Sequence, residues 1–124
     1  MTQFQDYSRT FTPLDRYRKH CIMFDYWQHE LVAALQRQPF NPKLLRRASA
    51  DSLTELETLK SLVDETTAGR IAPLVEERAQ LNRQLQSGVP SEPQARLLAA
   101  QLDGQERRLH RDFFWRDVED RLKP

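Results

Sequence analysis

LDRYRKHCIMFDYWQHELVAAL, residues 14–35, carries Leu14, Tyr17, Cys21, Phe24, Gln28, Leu31 and Leu35 at alternating steps of three and four. A helix turns about 100° per residue, so these seven side chains line one stripe, the seam of an amphipathic helix built to be covered. Nothing of comparable strength in the chain advertises chemistry. The residues just before it explain where the helix starts. Thr12-Pro13-Leu14-Asp15 offers an N-cap, a proline at the first helical position and an acid at the third, all suited to the unpaired amides of a helix N-terminus. The pattern predicts a helix from Pro13 to about Gln38, because Pro39 restricts the residue before it.

Asn41-Pro42 repeats the cap-plus-proline signal, and the short connection makes the first two helices neighbours. The second helical region is expected from Pro42 to about Ala68, with Leu45, Ala48, Leu56, Leu59 and Val63 near one face. Ser52-Leu53-Thr54-Glu55 inside it has the form of a capping box, which leaves one helix or two open. Gly69 reads as a C-cap and Pro73 as the opening of a third helix through Leu74, Arg78, Leu81 and Leu85, stopping at Ser87-Gly88. Ser91 and Gln94 form a further capping box, from which the last helix is expected to run from Glu92 nearly to Leu122. Gly104 weakens it by about 1 kcal/mol relative to Ala, which points to a kink or a close helix contact.

With 30% charged and 39% apolar residues and only 3 glycines in 124, the composition suits helices and not a sheet. The expected fold is all-α: a small bundle of four, possibly five, helices with a C-terminal helical hairpin. It forms one domain over residues 13–124 behind an N-terminal arm, 1–12, in which Phe4, Tyr7 and Phe11 keep a helical spacing. Cys21, the single cysteine, can form no internal disulfide. Met1 to Thr10 lacks the apolar run of a leader, and no stretch approaches the roughly 18 apolar residues of a membrane span. A cytoplasmic protein with no membrane partner is the expectation, and 15 Arg among 19 basic residues fits a GC-rich bacterial genome.

Three histidines limit acid-base and metal chemistry. His29 follows Asp25 by four residues and His110 follows Glu106 by four, so each pair is expected to share a helix face as a surface carboxylate–imidazole pair. The Glu-x-x-His spacing of di-iron bundles is absent, as are a four-ligand zinc pattern, a nucleophile elbow and a glycine-rich phosphate loop. No catalytic residue, metal or cofactor is expected.

Arginines supply the next candidate. Arg37, Lys43, Arg46 and Arg47 form one basic group, and Arg107, Arg108, Arg111 and Arg116 another, interleaved with His110, Phe113, Phe114 and Trp115. Arginine with aromatics is the composition of a single-strand stacking surface, which makes Arg46, Arg47, Arg107, Arg108 and Arg111 the possible nucleic-acid contacts. Against this stand a net charge of only +1 and the acids Glu106, Asp112, Asp117, Glu119 and Asp120 among those arginines. Spacings such as Arg108–Asp112 and Arg116–Asp120 read as helix-stabilising pairs.

Protein partnering is the preferred reading. Met23, Phe24, Tyr26 and Trp27, with Phe113, Phe114, Trp115 and Val118, place large side chains around more of a helix than one stripe accommodates, and these residue types are enriched in interface cores. Phe24, Trp27, Leu31, Phe113, Phe114, Trp115 and Val118 are the expected partner-binding residues. Acids dominate from Asp51 to Glu77, opposing the basic group before them and able to orient an assembly. The chain therefore reads as a homodimeric, non-catalytic regulator, adaptor or antiactivator that covers a surface of a partner such as a transcription regulator. A nucleic-acid accessory protein is the alternative.

Overall fold

The stripe of residues 14–35 is covered as its spacing demands. In the computed structural model, which describes residues 11–124, Tyr17, Cys21, Phe24, Gln28, Leu31 and Leu35 are buried, and only Leu14, at the end of the seam, is half-exposed. They belong to α1 (Pro13–Leu35), which opens on a complete capping box: Thr12 Oγ1 accepts from the Asp15 amide and the Asp15 carboxylate accepts from the Thr12 amide. The helix ends three residues before Gln38. The Gln36 amide is shared between the Val32 and Ala33 carbonyls at 3.2 Å each, a tightened last turn from which the chain leaves toward Pro39.

Helix α2 (Pro42–Ser61) is uninterrupted. The Ser52–Glu55 capping pattern goes unused because both side chains are spent on neighbours: Ser52 Oγ donates to the Ser49 carbonyl and Glu55 reaches His20 on α1. Helix α2 stops at Ser61, and α3 (Glu65–Ser87) starts at an Asp64 N-cap that accepts from the Thr67 amide at 2.8 Å. Gly69 and Pro73 therefore lie inside α3. Pro73 deprives the Gly69 carbonyl of its partner, but both residues are on the exposed face, where solvent can take the lost bond.

The hairpin of α3 with α4 (Glu92–Asp112) forms around the Ser91–Gln94 capping box. Its helices touch at few points, and an open groove of about 300 Å³ runs between them, lined by Glu77, Gln80, Gln84, Gln101, Gly104 and Arg108. A Cβ on Gly104 would meet nothing within 4 Å, so the close helix contact expected there does not form. Helix α4 also stops ten residues before Leu122. Phe113 adopts φ −133°, ψ 20°, sends its ring into the core and offers its carbonyl to the Tyr17 hydroxyl at 2.7 Å. A short α5 (Trp115–Val118) and a 3₁₀ turn (Glu119–Arg121) follow, and the tail pins the α2–α3 junction through Asp64 N to Arg121 O and Lys123 N to Leu62 O. Among the described residues no helix is long and apolar enough to cross a membrane.

The interior divides along the bundle axis. At one end Tyr17, Cys21, Phe24, Leu56, Leu59, Ile71, Leu109 and Phe113 pack together; at the other Leu31, Leu35, Leu45, Leu81, Leu85, Leu98 and Leu102 do. Burial pushes the Cys21 thiol up to about 12 from 9.0, with the nearby Asp25 charge adding to it. An unfolded chain ionises this thiol near pH 9 while the fold keeps it protonated, so its contribution is complete below that pH and declines above it by about 1.4 kcal/mol per pH unit. Cys21→Ala is expected to remove this part of the alkaline decline. Denaturant titrations between pH 9 and 10, before Tyr17 ionises in the unfolded chain, check it: equal slopes in the two proteins would contradict the burial argument.

Candidate functional site

Between the two apolar clusters lies a polar layer to which α1 to α4 all contribute. Arg78, fully buried, donates from Nε to Gln105 Oε1 at 2.7 Å, from Nη1 to Ser52 Oγ at 2.9 Å and from Nη2 to Gln28 Oε1 at 2.6 Å. Its guanidinium also lies 5.0 Å from the Phe24 ring centre. Gln28 Nε2 donates onward to the Leu102 carbonyl at 3.0 Å. Every direct acceptor is neutral. Burial therefore lowers the Arg78 pKa to about 9, opposed by the charge of Glu106, and the group stays charged at neutral pH. No buried side-chain N or O among the described residues lacks a partner. This layer holds the four helices in one register, with Arg78 itself 0% exposed and Gln105 at the edge of the α3–α4 groove.

The layer fixes which face of α1 turns outward. With α2 on one shoulder and α4 on the other, Ile22 and Tyr26 stand roughly 140–180° from the seam and are 56% and 57% exposed. Four residues apart, they form one ridge. Trp27 and Met23 are half-buried on the α2 shoulder, where Tyr26 meets the Trp27 ring edge-on at 5.0 Å and Arg47 stacks over it at 5.2 Å. Trp115 is half-buried as well, with Arg18 of α1 5.0 Å from its ring centre.

Four of the seven expected partner-binding residues are elsewhere. Phe24, Leu31, Phe113 and Val118 are between 0 and 5% exposed and fill this chain's own core. The surplus of aromatics counted on a long last helix shrinks once that helix breaks at Phe113, because the break turns Phe113 and Val118 inward. Trp27, Phe114 and Trp115 remain accessible. Spacing alone did not single out Ile22, whose signal is its position opposite the seam. Phe4 and Tyr7 of the arm lie outside the described residues, while Phe11 is 37% exposed with Arg16 5.8 Å from its ring centre.

The histidines pair across helices. His110 Nε2 lies 2.7 Å from Asp25 Oδ1, joining α4 to α1, and His20 Nδ1 lies 2.5 Å from Glu55 Oε1, joining α1 to α2. The expected Asp25–His29 pair does not form, since Asp25 turns toward α4 while His29 faces outward. Glu106 does share a face with His110, and Asp25, Glu106 and His110 bring donor atoms within 4.8 Å of one another. The Phe114 ring stacks on His110 with centres 4.5 Å apart.

The arginines do not gather into one patch. Arg46 and Arg47 stand near the Leu45 end of the bundle, while Arg107, Arg108 and Arg111 stand near the Leu109 end. Arg107 pairs with Asp103, Arg111 with Asp112 and Arg47 with Asp51. Arg108 pairs with Glu77 of α3 at 2.8 Å, not with Asp112 as its spacing proposed, because the α3–α4 groove places Glu77 closer. No protein-family model, curated protein or solved structure matches the chain.

Proposed function

We propose that this chain is a non-catalytic, protein-binding regulator, an adaptor or antiactivator that covers a surface of a partner such as a transcription regulator, and that it docks through the α1 ridge. The observation that carries the reading is the exposure of Ile22 and Tyr26 side by side, on a helix whose other faces pack against α2, α4 and α5. A tyrosine and an isoleucine presented by a rigid helix, rimmed by Trp27–Arg47 and Trp115–Arg18, supply apolar contact area at low conformational cost. The same ridge serves a second copy of the chain when the partner is absent, and the protein acts in the cytoplasm of a bacterium. The five candidate arginines are dispersed and all but Arg46 are paired with acids, a poor arrangement for following a phosphate backbone.

The test is a quantitative affinity capture from the native host, with mass spectrometry, comparing the full chain with its Ile22→Asp and Tyr26→Ala variants. A discrete protein captured by the parent and lost from both folded variants is the expected result. Capture unchanged by the variants, or recovery of nucleic acid that Arg107→Ala/Arg108→Ala/Arg111→Ala abolishes, would overturn it. Sedimentation of the same proteins is expected to show a dimer that both ridge variants dissociate.

A further inference from the structure

We propose that Asp25, Glu106 and His110 form a site for a divalent transition-metal ion, Zn²⁺ by preference, that ties α4 to α1. The three residues come from two packed helices and bring one imidazole nitrogen and two carboxylate oxygens within 4.8 Å of one another. Glu106 and His110 are one turn apart on α4, which aims both at the same point, and Asp25 closes the set from α1. The arrangement is not a neutral ion pair. Two carboxylates converge on a single imidazole, and Glu106 has no cationic ion-pair partner among the described residues, although it feels the charge of Arg78 through the core. A cation is what such a convergence lacks.

The donor chemistry selects the ion. An imidazole nitrogen favours Zn²⁺ and its neighbours in the first transition row over Mg²⁺ or Ca²⁺, which prefer oxygen alone. Four-coordinate Zn²⁺ with bonds of about 2.0–2.2 Å sets its donors roughly 3.4 Å apart. His110 Nε2 and Asp25 Oδ1, now 2.7 Å apart, open slightly as the ion takes the place of the hydrogen bond between them, the proton passing to solvent from an imidazolium or to Nδ1 in a neutral ring, while Glu106 closes in. The Phe114 ring, stacked on His110, holds the imidazole plane through this adjustment. All three ligands are half-buried, so the fourth position faces the rim and takes a water molecule.

The test is calorimetric titration of the tag-free, chelator-treated full chain with Zn²⁺ alone, with thermal melts alongside. One equivalent per chain and a raised Tm are expected. Asp25→Asn and Glu106→Gln, both isosteric and each checked for an unchanged metal-free melt, are each expected to weaken binding by about tenfold or more, since even outer partners of a metal ligand are worth about 10–100-fold. His110→Ala is expected to abolish binding, and His20→Ala and His29→Ala to leave it unchanged. Absence of saturable uptake, or uptake that survives Glu106→Gln and Asp25→Asn or is removed by His20→Ala, would overturn the assignment.

Discussion

Arg78→Ala is expected to destabilise the protein by about 3–5 kcal/mol, and Arg78→Met by a smaller amount, about 1–3 kcal/mol. Three effects compete. Truncation empties the largest fully buried side chain, worth about 2–5 kcal/mol for a big residue. It also strips the amide oxygens of Gln28 and Gln105 and the Ser52 hydroxyl of their donor, and a buried acceptor left unpaired costs about 1–3 kcal/mol. Set against these is relief from holding a charge that burial disfavours. Methionine keeps that relief and leaves the same three acceptors unpaired, but it refills the volume, so the two variants separate packing from the polar contacts. Urea unfolding of both checks the outcome, and an equal loss would place the stability in the guanidinium's polar contacts and none of it in the filled volume. The guanidinium also sets register: Arg78→Met is expected to lose near-ultraviolet circular dichroism before it loses helicity.

Phe24→Ala is expected to cost about 3–5 kcal/mol, whereas Tyr26→Ala, two residues on, changes stability by no more than about 0.5 kcal/mol. Phe24 is 1% exposed, packs among Cys21, Leu56 and Leu109 and lies beneath the Arg78 guanidinium. Tyr26 is 57% exposed and touches mainly the edge of Trp27. For binding the order reverses: Tyr26→Ala is expected to remove about 2 kcal/mol or more of partner affinity, and the folded fraction of Phe24→Ala to bind as the parent does. Melts and binding on the same two proteins decide. An early-melting Tyr26→Ala with an unperturbed Phe24→Ala would invert the assignment of scaffold and surface.

What was legible in the sequence was periodic or local. The seam from Tyr17 to Leu35 and the caps at Thr12, Asn41 and Ser91 depend on residues within a turn or two, and all of them form. The errors arise where a distant partner overrides a local signal. Ser52 and Glu55 look like a cap until Arg78 and His20 claim them, and Phe113 ends α4 because the core and Tyr17 take its ring and carbonyl. Gly69 and Pro73 have the form of breakers, but the Asp64–Thr67 cap just upstream starts a helix that runs through both. The site was harder still. Asp25 and His110 are 85 residues apart, so no spacing rule joins them. Ile22 draws no attention in a chain read for clusters of aromatics, and only knowing that α2 and α4 flank α1 leaves it bare.

The ridge on α1 as the docking surface is tested most directly by site-specific photo-crosslinking in the native host, with a photoreactive phenylalanine analogue placed in the full chain at Tyr26, and separately at two other exposed positions. These are Glu57 on α2 and Gln101, which lines the α3–α4 groove. A discrete protein adduct from Tyr26, absent from Glu57 and Gln101, is the predicted result. Adducts from Gln101 with none from Tyr26 would contradict it and move the docking surface to the groove.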